Sequence, residues 1–231
     1  LDGSTTAGSA PSGNVGRSDA IKWQSVGVVP QVPVITQHPS NQSACPNATA
    51  TFNVAASGDE PLSYQWQKNN ANLTNGGHYS GCATTTLTIS NCDTGDVANY
   101  RCVVTNSLGN ATSNNASLTL KAATSITQHP ANRTVTEGQT AQFTVAASGD
   151  GTLTYQWQKN LSNITNGGRV SGATSAALQI TSTVTGDSAG YRCVVTAGCG
   201  SATSNAATLT VDFAGQPGDF DADGDVDLQD F

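Results

Sequence analysis

The feature that most constrains this chain is an ungapped internal repeat. Ile35-Thr36-Gln37-His38-Pro39 returns as Ile126-Thr127-Gln128-His129-Pro130, and Tyr64-Gln65-Trp66-Gln67-Lys68-Asn69 returns as Tyr155-Gln156-Trp157-Gln158-Lys159-Asn160. Tyr100-Arg101-Cys102-Val103-Val104-Thr105 returns as Tyr191-Arg192-Cys193-Val194-Val195-Thr196. Every pair is offset by 91 positions, without a gap from residue 35 to residue 120, and roughly half the positions are identical. A unit this long exceeds a solenoid repeat and suits an independent small domain, so the chain carries two tandem copies of one fold.

Within each copy the apolar period is two. Phe52, Val54 and Ala56 alternate with Thr51, Asn53 and Ala55; Leu62, Tyr64 and Trp66 alternate with Ser63 and Gln65. Leu87 and Ile89, then Tyr100, Cys102 and Val104, continue the pattern. Turn chemistry at Ser57-Gly58-Asp59, Asn75-Gly76-Gly77 and Ser107-Leu108-Gly109 separates the runs, and no stretch holds a 3.6 period. The expectation is an all-β chain of two-layer antiparallel sandwiches.

The order of motifs resembles an immunoglobulin-like domain of the intermediate or bacterial surface type. It runs from a strand-B core position to a Trp twelve residues on, then Leu-x-Ile, then Asp-x-x-x-Tyr-x-Cys. Trp66 and Trp157 match the strand-C core Trp of that family. Tyr100 and Tyr191, with Asp96 and Asp187 upstream, match its tyrosine corner. The resemblance covers about 87 residues of each copy. It implies domains at 34–121 and 125–212, preceded by a linker or the last strand of another module (1–33) and followed by a short remnant (213–231). The weak alternation of Ala20 to Val29 would be that last strand, and Lys121-Ala122-Ala123-Thr124 a linker short enough to restrict motion. The sequence departs from the family at strand B, where Val54 and Val145 replace the first disulfide cysteine. Cys102 and Cys193 are therefore expected as buried small hydrophobes.

Four cysteines fall in the first copy (Cys45, Cys82, Cys92, Cys102) and two in the second (Cys193, Cys199), with no zinc-type spacing. Three pairings are open within the first copy. Topology favours Cys45–Cys92, since both lie at one end of the sandwich, and Cys199 is expected to be free or locally paired rather than bonded across the copies. An even count in an all-β chain fits an oxidising, exported location.

Charge excludes some classes of partner. Of sixteen acidic residues, six crowd the last thirteen positions, leaving ten against nine basic residues in the body. A nearly neutral body offers no footprint for nucleic acid or an anionic membrane, and no apolar run reaches the ~18 residues of a span. Leu1 in place of Met is expected of a mature product or a fragment. No catalytic motif appears. His38 and His129 repeat at one structural position without a carboxylate or nucleophile partner, and His78, replaced by Arg169 in the second copy, reads as a solvated loop. Asn-x-Ser/Thr triplets at Asn41, Asn47, Asn72, Asn110, Asn115, Asn132, Asn160 and Asn163 follow from composition, in a chain only 11% charged.

The tail has explicit site chemistry. Asp219 to Asp230 fits D-x-D-x-D-G-x-x-x-x-x-D: Asp219, Asp221 and Asp223 place hard oxygens at positions 1, 3 and 5, and Gly224 allows the sharp turn. Asp225 offers its carbonyl, Asp227 acts through water, Val226 is the apolar anchor and Asp230 closes the set, so weak Ca²⁺ binding is expected. The segment resembles the first calcium repeat of a type I dockerin, which implies a cohesin partner for a full-length parent. The exiting helix and second repeat do not follow within these residues. The expected function is therefore a non-catalytic part of a secreted or cell-surface modular protein. Its domains would act as spacers or as adhesion modules for a protein or glycan. The alternative is the accessory region of a secreted polysaccharide-degrading enzyme carrying a dockerin.

Overall fold

A computed structural model describes residues 29–214. The chain divides into a leading unit, Leu1–Pro30, and a second, Gln31–Phe231, which holds both copies of the repeat. The expected strand near Ala20 and the acidic tail lie outside the described residues.

The first copy is built from β1 (Val34–Gln37), β2 (Gln42–Ala44), β3 (Ala50–Asn53), β4 (Ala55–Ser57), β5 (Ser63–Lys68), β6 (Ala71–Asn72), β7 (Tyr79–Ser80), β8 (Thr86–Ile89), β9 (Ala98–Asn106), β10 (Gly109–Thr112) and β11 (Ala116–Leu120). The second repeats the series as β12 (Ser125–Gln128), β13 (Arg133–Thr136), β14 (Ala141–Thr144), β15 (Ala146–Ser148), β16 (Thr154–Lys159), β17 (Ser162–Asn163), β18 (Val170–Ser171), β19 (Ala177–Ile180), β20 (Ala189–Ala197), β21 (Gly200–Thr203) and β22 (Ala207–Asp212). One layer of the first copy runs β2-β11-β9-β5-β6, with β10 also on β9; the other comprises β3-β8-β7 and the pair β1-β4. All pairs are antiparallel except β2 with β11 and β13 with β22. The alternating run from Thr51 to Ala56 is broken at Val54, so its first half pairs with β8 and its second with β1.

Three aromatic residues of the alternation explain each core. Phe52 stacks on Tyr100 at 5.0 Å between ring centroids and lies tilted to Trp66 at 6.2 Å; Phe143 meets Tyr191 and Trp157 at 5.1 and 6.2 Å. All six rings are buried. Burial of indole and phenol demands partners for their polar atoms. Trp66 Nε1 donates to the Thr84 carbonyl and Trp157 Nε1 to that of Ser175, both at 2.9 Å. Tyr100 Oη donates to the Asp96 carbonyl at 2.7 Å and Tyr191 Oη to that of Asp187 at 2.9 Å, forming the expected tyrosine corners. Cys102 and Cys193 are buried free thiols, with Val54 and Val145 buried in the same cores. Burial raises each thiol pKa to about 11, which leaves both protonated and unreactive at neutral pH.

Glycine is required at one turn of each copy. Gly81 and Gly172 have φ of +74° and +76°, and a Cβ there would come within 2.1 Å of the Thr86 carbonyl or 1.9 Å of the Ala177 carbonyl.

Candidate functional site

The most distinctive arrangement lies where the two sandwiches meet. Cys45, one residue beyond β2, is bonded to Cys199 in the β20–β21 turn, with Cα atoms 5.4 Å apart. This corrects the expected Cys45–Cys92 pairing and the expected free or locally paired Cys199. Cys45 and Cys92 do share one end of the domain, since the Asn47 amide donates to the Cys92 carbonyl and the Cys92 amide to the Ala48 carbonyl. Cys92 nevertheless turns its thiol inward, where it donates to the Ile89 carbonyl at 3.4 Å and is fully buried. Cys82, also free and buried, occupies the place of Ala173 in the other copy.

The bond is part of a larger clasp. The Lys121 amide donates to the Ala44 carbonyl at 2.9 Å, next to Cys45. Across the junction, the Asp150 amide donates to the Ala122 carbonyl at 3.2 Å, and within the second copy the Gly198 amide donates to the Asp150 carbonyl at 2.8 Å. Lys121 Nζ lies 3.1 Å from Asp150 Oδ2, and Thr124 Oγ1 donates to the Gly200 carbonyl at 2.9 Å. The ion pair is exposed and adds little by itself. The sum is a connection of four residues, Lys121 to Thr124, tied to both neighbours and spanned by a covalent bond.

A second cluster joins His78 and Asp96. His78 Nδ1 is 2.7 Å from Asp96 Oδ2, while Tyr79 Oη donates to Asp96 Oδ1 at 2.6 Å. Lys68 Nζ donates to Tyr79 Oη at 2.8 Å, and the Asp93 amide donates to Asp96 Oδ2 at 3.1 Å. Burial pushes the Asp96 carboxyl up, but the bonds from Tyr79, His78 and the Asp93 amide outweigh it and hold the pKa below its ordinary value. The same bond to Asp96, against a desolvation penalty, raises that of His78. In the second copy Arg169 takes the place of His78 and grips Asp187 with two nitrogens, with Lys159 3.8 Å away. His78 therefore lies in a half-exposed turn, but it is tied to a buried acid rather than free in solvent. The signal was present in the sequence as a basic residue at one repeat position and an Asp 18 residues later in both copies.

His78, Asp93 and Asp96 have ligand atoms within 4.8 Å of one another, the metal-type group found among the described residues. Both Asp96 oxygens already accept hydrogen bonds, Asp93 Oδ1 accepts from the Gly95 amide, and a lysine stands in the network. Such a set is satisfied as an internal ion pair. The Ca²⁺ ligands expected at Asp219, Asp221, Asp223, Asp225, Asp227 and Asp230 lie outside the described residues.

His38 and His129 do the same work in each copy: Nδ1 accepts the amide of Asn114 or Asn205 at 3.0 Å, joining the segment after the first strand to the start of the last. Two surface depressions, of about 310 and 270 Å³, are lined by residues such as Asn69, Val97 and Ser117 or Arg133, Thr140 and Gln142. Neither contains a carboxylate, histidine or cysteine from which an acid–base pair or nucleophile could be made. No helix among the described residues is long and apolar enough to cross a membrane.

Buried Trp, tyrosine corner and parallel pairing of the second strand of each sandwich with its last define the class: tandem immunoglobulin-like modules. The Immunoglobulin I-set domain model matches residues 33–120 and 124–211, and the chain belongs to that family. Endoglucanase C of Cellulomonas fimi is 34% identical over 187 residues, covering 79% of this chain and 16% of that protein. Tyrosine-protein phosphatase Lar of Drosophila melanogaster is 30% identical over 194 residues, covering 78% of this chain and 10% of its own. The chain thus spans less than a fifth of the length of these curated relatives. An I-band fragment of titin superposes with a TM-score of 0.61 at 21% identity, covering 79% of this chain and 66% of the fragment, a likeness of fold alone. Tandem domains of this family are typical of modular extracellular or cell-surface proteins and are generally non-catalytic.

Proposed function

We propose that this chain is a non-catalytic spacer and binding region of a secreted or cell-surface modular protein. The observation that carries the reading is the clasped junction: two complete sandwiches joined by four residues and by Cys45–Cys199. A bonded junction presents both domains at a fixed spacing, which serves presentation of neighbouring modules or a two-domain surface for a protein or glycan. Asp219, Asp221, Asp223, Asp225, Asp227 and Asp230 extend the proposal to a weak calcium loop, since hard carboxylates at this spacing suit Ca²⁺.

The endoglucanase relative supports a second reading. In it the region is the accessory part of a secreted polysaccharide-degrading enzyme, whose dockerin-like tail would reach a cohesin in the full-length parent. Both readings place catalysis outside these residues. The purified chain is incubated with cellulose and soluble β-glucans, and new reducing ends are measured. None is expected, and sustained release would overturn the non-catalytic reading. Retention on one of these glucans would favour the accessory role, and retention on none would favour the spacer.

A further inference from the structure

The position of the disulfide in the chain has a mechanical consequence. Cys45 and Cys199 are 154 residues apart, so the bond closes a loop that contains nearly all of both sandwiches. Of the described strands, only the entry strands β1 and β2 and the exit strands β21 and β22 remain outside it. Neither cysteine has a counterpart in the other copy: Thr136 stands at the position of Cys45 and Leu108 at that of Cys199. Each cysteine thus occurs only in the copy where it faces the junction.

We propose that Cys45–Cys199 is a load strap, through which tension on the chain bypasses the two domain bodies. Without the bond, tension on the first domain enters β2 from its N-terminal side and leaves through the C-terminal end of β11. These strands are parallel neighbours, paired from Gln42–Leu118 to Ala44–Leu120, so the load shears them and then unravels the whole domain. With the bond in place, tension entering through β1 and β2 reaches Cys45 one residue after β2. It then crosses to Cys199 and leaves through β21 and β22. Strands β3 to β20 hang beside the load path. The Trp66 and Trp157 cores lie within that protected length, as does the Lys121 to Thr124 connection.

The hidden length is large. At ~3.3–3.6 Å per residue, the 154-residue separation conceals about 500 Å of extended chain. The segments outside the strap, about 15 residues at the entry and about 14 at the exit, have a full contour of only ~50 Å each, and most of that is strand already extended in the folded chain. This inference deepens the spacer reading and takes from it only that the chain is pulled at its two ends.

The test is optical-tweezers extension of the full chain, with handles at both termini. The oxidised protein should show short steps totalling well under ~100 Å, since the peeled segments are already largely extended, after which the contour stays fixed. The Cys45→Ala/Cys199→Ala variant should show two steps of ~250–300 Å, one for each domain. If that variant does not fold, a dithiol added to the folded native chain gives the same comparison; it is oxidised to its cyclic disulfide as the strap becomes two thiols. Two large steps in the oxidised native chain would overturn the strap, as would a Cys45–Cys92 peptide in a non-reducing digest. Hydrolysis of a glucan by the chain would overturn the spacer reading and leave the extension result untouched.

Discussion

Removing the strap should change how the two domains melt as well as how they stretch. A cross-link stabilises mainly by restricting the unfolded chain, by an amount that grows with the logarithm of the loop it closes. When the first domain unfolds beside a folded second one, the loop from Cys45 to the start of the second domain contains roughly 80 residues, a restriction of ~4.5 kcal/mol. The same holds when the second domain unfolds alone. When both unfold, the loop is the full 154 residues and the restriction is only ~5 kcal/mol. Nearly all the effect therefore falls on the first unfolding event, whichever domain it is. States with a single domain unfolded become about a thousandfold rarer relative to the native chain, at ~1.4 kcal/mol per tenfold. The oxidised protein should consequently melt as one concerted unit, and Cys45→Ala/Cys199→Ala should melt as two independent domains. For a unit of about 180 residues, a loss of ~5 kcal/mol corresponds to a fall on the order of 10 °C. Scanning calorimetry reads both effects. The ratio of van't Hoff to calorimetric enthalpy should lie near one for the oxidised chain and near one half for the variant. Equal midpoints and equal ratios in the two proteins would refute the reasoning.

Four further outcomes are expected. Trp66→Ala should cost ~3–5 kcal/mol in urea unfolding of the first domain, whereas His38→Ala, which loses one exposed bond to the Asn114 amide, should cost ~1 kcal/mol. Tyr100→Phe should cost ~1–3 kcal/mol, because the buried Asp96 carbonyl loses its donor while the packed ring remains. The His78–Asp96 pair is a pH-dependent contribution. The raised His78 pKa gives stability that is full below 6.5 and lost as pH rises through the folded value, and the lowered Asp96 pKa gives stability lost only in acid below 3.8. In the Cys45→Ala/Cys199→Ala background, thermal melts between pH 5.5 and 9 should therefore show the first domain weakening relative to the second, and His78→Arg should flatten the trend. Calorimetric titration with CaCl₂ should give a weak site, ~10⁻⁴–10⁻³ M, in the intact chain and none in a truncation ending at Gly215; equal uptake by both would remove the tail from the proposal.

The parts of this fold that were legible in the sequence are those governed by period and by duplication. Alternation puts Phe52, Trp66, Leu87, Tyr100 and Val104 on one side of their strands, and all five are buried. The 91-residue offset predicts that whatever holds one copy holds the other, and the Trp, Tyr and His bonds recur at equivalent atoms. The break at Val54 was not legible, because partner exchange within one extended run changes neither period nor composition.

The junction was illegible for a different reason. A repeat describes what the copies share, whereas a contact between copies is made by residues that differ. Cys45 and Cys199 sit at unmatched positions, so topology within one copy could not bring them together and pointed instead to Cys92, the neighbour of Cys45 within its own domain. Mismatch was the informative quantity. The same comparison at His78 and Arg169 leads to the opposite conclusion, since those residues differ in identity yet are both basic, and each faces an Asp 18 positions later. A substitution between the copies that keeps its physical property marks a shared interaction inside the domain. One that abolishes the property at a partly exposed position, as Cys45 against Thr136 and Cys199 against Leu108, marks a surface where the copies stop being equivalent, whereas Cys82 against Ala173 stays inside the core. In a tandem pair that surface is the junction, where the disulfide forms.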